Sequence, residues 1–258
     1  MIKLVVSDVD GTLLRAGEQV LPKETAEVIR ALKEKGVLFV AASGRPYADL
    51  KHLFGDVSDE IGFIASDGAF ISYRSEVIGR FPIDRETGFS IMQEIYMGTE
   101  AEVALYGSYM AYMLPKSESF ASYFRETVHN HVESVSCMKR VPEEYLKVGI
   151  YHPEDVQKYA GVVASYWDSK LHRVYTSKNW VEYTAAGVHK GAGLDKFLVT
   201  FGIAPQEVLA FGDNRNDKEM LALAGCSYAM SSAGEEIKAL CGYETENPVN
   251  TIRTLFGL

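Results

Sequence analysis

The most constraining stretch of this sequence is an apolar run near its start that ends in two aspartates, LVVSDVDGTL over residues 4–13. Apolar and small residues bounded by a Gly-Thr turn are typical of a strand buried in a sheet. Because alternate side chains of a strand point to the same side, Asp8 and Asp10 are expected to project together. Two carboxylates this close repel each other unless a cation or a shared proton lies between them. The pair therefore predicts a functional site, although one aspartate could instead cap a turn while the other faces solvent.

The composition is that of a globular chain with one large domain or two smaller ones. The 258 residues are 47% hydrophobic, and the net charge of −9 argues against binding to nucleic acid or to a membrane surface. Cys137, Cys226 and Cys241 are widely spaced and odd in number, which favours a reducing compartment over a disulfide framework. Since the first residues do not resemble a signal peptide, we expect a cytoplasmic protein. Monomer and homodimer both remain open.

Hydrophobic periodicity predicts alternating strands and helices at both ends of the chain. Apolar runs over 37–42, 61–65 and 208–212 are typical of strands buried on both faces, and helical spacing lies between them. We therefore expect an α/β fold, with a Rossmann-like parallel sheet and right-handed crossovers.

The middle third of the chain has a different sequence pattern. It contains tyrosine-rich segments typical of antiparallel strands, and a helix is predicted over 155–167. We expect it to form an inserted α+β domain over 83–186. The core domain is then assembled from residues 1–82 and 187–258.

Polar side chains follow the carboxyl ends of several predicted parallel strands, which share one edge of the sheet. Asp8, Asp10 and Asp213 offer the hard oxygen ligands that suit Mg²⁺. Ser43 and the Gly44 backbone N–H lie at a strand-to-helix junction, where anions bind well.

Lys190, at the predicted start of a helix, supplies a full positive charge. Together with Ser43 and Gly44 it would form the anion-binding half of the site. An anion site that faces a cation site predicts a phosphoryl group and phosphoryl transfer.

Each of these residues also has an ordinary structural interpretation. Ser43 and Gly44 could form a plain turn, and Arg45 could pair with a nearby acid instead of touching substrate. The polar run over 213–217 could be a helix N-cap followed by a solvated turn. Glu182 could face a cleft or simply pack within the inserted domain.

Taken together, the segments resemble the four motifs of the haloacid dehalogenase (HAD) superfamily, in the same order. The matching residues are Asp8-Val9-Asp10-Gly11-Thr12, Ser43-Gly44-Arg45, Lys190 and Gly212-Asp213-Asn214-Arg215-Asn216-Asp217. The insertion between the second and third motifs resembles the type IIB cap of the Cof-like phosphatases. The resemblance implies that this cap closes over the site and recognises the organic part of the substrate.

The resemblance also implies roles for individual residues. Asp8 would be the nucleophile that forms an aspartyl-phosphate, and Asp10 would be the general acid and base. Mg²⁺ would be held by the carboxylates of Asp8 and Asp213 and by the backbone carbonyl of Asp10. The phosphoryl oxygens would be bound by Ser43, Gly44, Lys190 and Asn216, with Asp217 orienting Lys190 or a metal-bound water.

One position departs from the family pattern. Cof-like proteins usually carry Asn-Gly-Ala after the third strand, whereas this chain has Asp67-Gly68-Ala69. The additional negative charge of Asp67 is expected to alter substrate contacts rather than to remove catalysis. Arg45, Asp67 and Glu182 are therefore candidate substrate contacts.

The resemblance implies a Mg²⁺-dependent phosphohydrolase acting on a small phosphorylated metabolite. A sugar phosphate is favoured, with pyridoxal phosphate or flavin mononucleotide also possible. Two alternatives stay open, a phosphomutase or phosphotransferase, and a non-catalytic sensor of a phosphorylated metabolite.

Overall fold

The computed structural model describes residues 1–15, 17–127, 131–159, 166–175 and 177–258. The chain divides into two compact units. The first unit comprises Met1–Arg45, Leu50–Gly79 and His189–Leu258, and the second comprises Pro46–Asp49 and Arg80–Val188.

The strands, numbered in chain order, are β1 (Leu4–Asp8), β2 (Leu38–Ala42), β3 (Gly62–Ala65), β4 (Phe70–Tyr73), β5 (Glu76–Arg80), β6 (Glu102–Tyr106), β7 (Ala111–Met113), β8 (Val132–Ser134), β9 (Lys147–Tyr151), β10 (Leu171–Tyr175), β11 (Trp180–Ala185), β12 (Val208–Gly212), β13 (Cys226–Met230) and β14 (Tyr243–Thr245). The helices are α1 (Lys23–Glu34), α2 (Tyr47–Phe54), α3 (Arg85–Gly98), α4 (Glu118–Thr127), α5 (Lys190–Phe201), α6 (Lys218–Leu223), α7 (Glu235–Lys238) and α8 (Pro248–Phe256).

The first unit is built on a sheet with the strand order β14-β13-β12-β1-β2-β3-β4-β5. Neighbours from β14 to β3 are parallel, and β4 runs antiparallel to β3. β1, β2, β3 and β12 are almost wholly buried, as expected for strands covered on both faces. The predicted parallel-sheet α/β core is confirmed, and β1 lies in the middle of it.

The second unit is an α+β layer, as the sequence predicts. Its sheet has the order β10-β11-β9-β6-β7-β8 and is antiparallel except between β7 and β8. Ile91 and Ile95 of α3 pack with Val103 and Val148 on one face. The other face carries a separate aromatic cluster that includes Phe124 of α4.

Two strands were not predicted from the sequence, β8 and β14. Each has three residues and is largely exposed, so neither carries an apolar run that distinguishes it from a loop. Of the helix predicted over 155–167, residues 160–165 lie outside the described residues. Among the helices that the structure describes, none combines the length and apolar character needed to cross a membrane.

Candidate active site

The site lies where β1 ends in the middle of the parallel sheet. β1 pairs with β2 on one side and with β12 on the other, so the segments that follow these three strands leave the same edge. Asp8 ends β1, Ser43 follows β2, and Asp213 follows β12.

The segments that follow β1 and β12 can approach each other closely because residue 11 is a glycine. Its φ of +94° belongs to the left-handed region, and a Cβ there would lie 2.3 Å from Asp213 Oδ2. Thr12 Oγ1 donates a hydrogen bond to Asp213 Oδ1 at 3.3 Å. No role of Thr12 was predicted from the sequence, although the Gly-Thr turn was the signal for one.

A buried ion-pair cluster centred on Lys190 joins three segments of the chain. Lys190 Nζ lies 2.6 Å from Asp8 Oδ1 and 2.7 Å from Asp217 Oδ1. All three residues are buried, with at most 4% of each exposed. Burial alone would lower the pKa of Lys190, but the carboxylates of Asp217, Asp8 and Asp67 raise it above its usual value. The ammonium group is therefore held in its charged form.

Asp217 also fixes the loop that follows β12. Its Oδ2 accepts hydrogen bonds from the backbone N–H groups of Asp213 and Asn214 at 3.0 and 3.1 Å. A Cβ at Gly212 would come within 2.8 Å of this side chain, so the glycine gives it room. Because Asp217 contacts both Lys190 and the backbone of this loop, its role is to hold Lys190 and Asp213 in position.

Three carboxylates converge at this edge, those of Asp8, Asp213 and Asp217, with one oxygen of each within 4.8 Å of the others. Asp8 Oδ2 is buried and has no hydrogen-bond partner among the described residues. Burial, together with Asp217, raises the pKa of Asp8 above its usual value and that of Asp213 to about 6. These raised pKa values and the unpartnered oxygen fit a site for a hard divalent cation.

The carboxylate of Asp10 is not part of that cluster. Arg45 forms a two-pronged ion pair with it, in which Nη2 contacts Oδ1 and Nε lies 2.8 Å from Oδ2. Ser43 Oγ lies 3.4 Å from Asp10 Oδ2 and accepts the backbone N–H of Arg45 at 3.1 Å. Arg45, a candidate substrate contact, thus pairs with a nearby acid, which is the alternative that the sequence left open.

A buried turn over Ser66–Gly68 contacts the candidate phosphate-binding residues Ser43 and Asn216. Asp67 donates its backbone N–H to the carbonyl of Ser43 at 3.0 Å, beside Gly44. Asn216 donates from Nδ2 to Asp67 Oδ1 at 2.9 Å. The structure therefore brings Ser43 and Asn216 together through Asp67.

Glu182 belongs to the second unit. Its carboxylate forms a buried ion pair with Lys147 at 2.9 Å, and Lys147 Nζ lies 4.8 Å from the centre of the Tyr106 ring. The candidate role of Glu182 as a substrate contact stays a prediction.

Comparisons with known proteins agree with this architecture. The family model for haloacid dehalogenase-like hydrolases matches residues 5–250. A 5-amino-6-(5-phospho-D-ribitylamino)uracil phosphatase of Escherichia coli (strain K12) is 27% identical over 244 residues, covering 94% of this chain and 90% of that protein.

Solved structures are similar over nearly the whole chain. A crystal structure from Eubacterium rectale has a TM-score of 0.89 at 26% identity and covers 98% of this chain and 99% of its own. A structure described as a HAD subclass IIB sugar phosphatase has a TM-score of 0.81 at 25% identity, with 99% of both chains covered.

The ion-pair cluster makes a prediction about stability. Lys190→Met leaves Asp8 and Asp217 buried without the cation between them, so the free energy of unfolding is expected to fall by about 3–5 kcal/mol. The matched control is Lys196→Met, which removes an exposed ammonium from the same helix and should change that free energy by less than about 0.5 kcal/mol. Urea unfolding at neutral pH measures both, and equal losses would contradict the proposed dependence on Lys190.

Proposed function

The chain belongs to the haloacid dehalogenase-like hydrolases, and we propose that it is a Mg²⁺-dependent phosphatase that acts on a small phosphorylated metabolite. The observation that carries this proposal is the position of Asp8. Its Oδ1 is held by Lys190 at 2.6 Å, while Oδ2 is buried and unpartnered among the described residues, and one oxygen of its carboxylate lies within 4.8 Å of one of Asp213. A carboxylate oxygen held in this way is suited to nucleophilic attack on phosphorus.

In the first step an oxygen of Asp8 attacks the phosphorus, and the bond from phosphorus to the ester oxygen breaks. Asp10 donates a proton to the departing oxygen, which leaves as an alcohol. In the second step Asp10 accepts a proton from water as the water oxygen attacks the phosphorus of the aspartyl-phosphate. The bond between phosphorus and Asp8 breaks, so inorganic phosphate is released and both aspartates are restored.

The cation would be held by the carboxylates of Asp8 and Asp213 and by the backbone carbonyl of Asp10. Mg²⁺ bound there supplies positive charge that reduces the repulsion between an anionic nucleophile and an anionic phosphate ester. Asp217 keeps Lys190 and the loop of Asp213 in place through the contacts described above.

The phosphoryl oxygens would be bound by Lys190, Ser43, the Gly44 backbone and Asn216. Lys190 contributes a full charge, whereas the others contribute hydrogen-bond donors in fixed positions. Preorganised donors of this kind stabilise the charge that develops during phosphoryl transfer.

We propose that residues 83–186 form the substrate-specificity cap and that 1–82 with 187–258 form the catalytic core. For the substrate we favour a phosphate ester of a sugar or sugar alcohol. This is supported by the ribityl phosphate named for the Escherichia coli relative and by the sugar phosphatase among the similar structures. Pyridoxal phosphate and flavin mononucleotide are further candidates, and nucleic acid and membrane partners are not expected.

The direct test is a screen of phosphorylated metabolites for phosphate release, with MgCl₂ or with EDTA. We expect release that requires Mg²⁺ and falls by roughly 10⁴-fold or more in Asp8→Asn, because the amide is not a nucleophile. The control is Asp195→Asn, an exposed position on α5.

Two other outcomes would count against hydrolysis. An isomerised sugar phosphate without phosphate release would identify a mutase or phosphotransferase. Metabolite binding without turnover would identify a sensor.

The ion pair between Arg45 and Asp10 makes a second prediction. If Arg45 positions the general acid, Arg45→Met should slow hydrolysis of an alkyl phosphate about tenfold or more beyond any effect on p-nitrophenyl phosphate. The reason is that nitrophenolate leaves without a proton, whereas an alkoxide does not. Arg45→Lys should recover part of the lost activity on the alkyl phosphate. Arg30→Met, which changes a surface arginine, should affect the hydrolysis of both esters equally. Equal losses on both esters would show that Arg45 does not act through Asp10.

A further inference from the structure

We propose that Asp67 sets how tightly the phosphoryl group is held, and that its carboxylate loosens this pocket so that product phosphate leaves readily. This inference rests on the proposed function for the identity of the bound anion. The observations that carry it are the burial of Asp67, its contacts with the phosphate-binding segments and the chemistry of its hydrogen bond to Asn216.

Asp67 contacts the segments that supply the proposed phosphate ligands. Its backbone N–H donates to the carbonyl of Ser43 at 3.0 Å, and its Oδ1 accepts from Asn216 at 2.9 Å. A Cβ at Gly68 would lie 2.5 Å from the carbonyl oxygen of His189, the residue before Lys190. The turn that carries Asp67 therefore lies against all three segments.

The backbone of this turn is costly to form. Ser66 and Asp67 have φ values of +48° and +55°, and Gly68 has a φ of +102°. Most side chains disfavour the left-handed region, and aspartate and asparagine are among those that tolerate it best. Buried backbone of this kind persists when its surroundings hold it, and it is frequent at functional sites.

The hydrogen bond between Asp67 and Asn216 also orients the Asn216 amide. A carboxylate accepts hydrogen bonds and donates none, so Asn216 must present its Nδ2 group to Asp67. One N–H is used in this bond, and the other is available to an anion. Asp67 thus prepares Asn216 as a donor.

The negative charge of Asp67, unlike its hydrogen bond to Asn216, weakens the binding of an anion. Asp67 is only 1% exposed, and its carboxylate, together with those of Asp217 and Asp8, raises the pKa of Lys190. An arriving phosphate must therefore share the Lys190 ammonium with a buried negative charge that is not needed for the hydrogen bond. Two unit charges about 7–15 Å apart, at an effective dielectric constant of about 20, interact strongly enough to change the affinity for an anion by roughly five- to fiftyfold.

The test is Asp67→Asn, which keeps the shape of the side chain, the tolerance for left-handed backbone and an oxygen that accepts from Asn216. Titration calorimetry with inorganic phosphate in the presence of MgCl₂ should give a dissociation constant roughly five- to fiftyfold lower than in the unaltered protein. In turnover, KM for the ester and the inhibition constant for phosphate should fall by a similar factor, without an increase in kcat. This pattern is expected because substrate and product share the phosphoryl group.

Two variants separate the effect of the Asp67 charge from the effect of its hydrogen bond to Asn216. Asp195→Asn removes the same formal charge from an exposed position on α5 and should leave phosphate affinity unchanged. Asp67→Gly tolerates the left-handed backbone but removes the bond to Asn216, so it should bind phosphate less tightly than Asp67→Asn. Thermal unfolding verifies that each variant is folded.

The inference is overturned if Asp67→Asn binds phosphate no more tightly than the unaltered protein, or if neither protein binds phosphate. Calorimetric binding does not require turnover. Tighter phosphate binding by Asp67→Asn, with no ester hydrolysed by any form of the protein, would therefore reject the proposed function while supporting the role of Asp67.

Discussion

The structure of the first unit depends on a buried ammonium group held between two buried carboxylates. Lys190 lies at the first residue of α5, where the helix dipole disfavours a cation, and 1% of it is exposed. Placing a lysine there costs free energy that Asp8 and Asp217 offset by ion pairs of 2.6 and 2.7 Å. Such an arrangement is weak evidence for stability, because well-packed apolar residues could replace it. Its retention is better explained by the phosphoryl chemistry that the charges can perform.

The sheet and its glycines bring these charges together. β1 lies between β2 and β12, so its Asp8 meets residues that are more than 180 positions away in the sequence. Gly11 and Gly212 have no side chain where Asp213 and Asp217 approach them. A methyl group at either position would push a carboxylate away. The same backbone features that build the turns therefore set the spacing of the acidic cluster.

Much of this arrangement could be predicted from the sequence, because β1, β2 and β12 are continuous apolar runs that end in polar turns. The convergence of Asp8, Ser43 and Asp213 followed from the shared edge of parallel strands. Lys190 begins a helix, and its place beside these residues was implied by the family resemblance. The contacts of Arg45 with Asp10 and of Asp67 with Asn216 could not be predicted in the same way. They depend on side-chain direction and on backbone with positive φ, and the second joins residues 149 positions apart. The short strands β8 and β14 lack the apolar periodicity that reveals the longer ones.

The central claim is that Asp8 forms a covalent bond to phosphorus during turnover. Rapid acid quenching of the Mg²⁺-loaded protein with a substrate carrying labelled phosphate, followed by pepsin digestion at acid pH, tests it directly. Because an acyl phosphate survives at the acid pH at which pepsin works, the account predicts acid-stable, base-labile label on the peptide that contains Asp8, and none in Asp8→Asn. Rapid release of labelled phosphate while this peptide stays unlabelled at every quench time, or label on another peptide, would contradict the account.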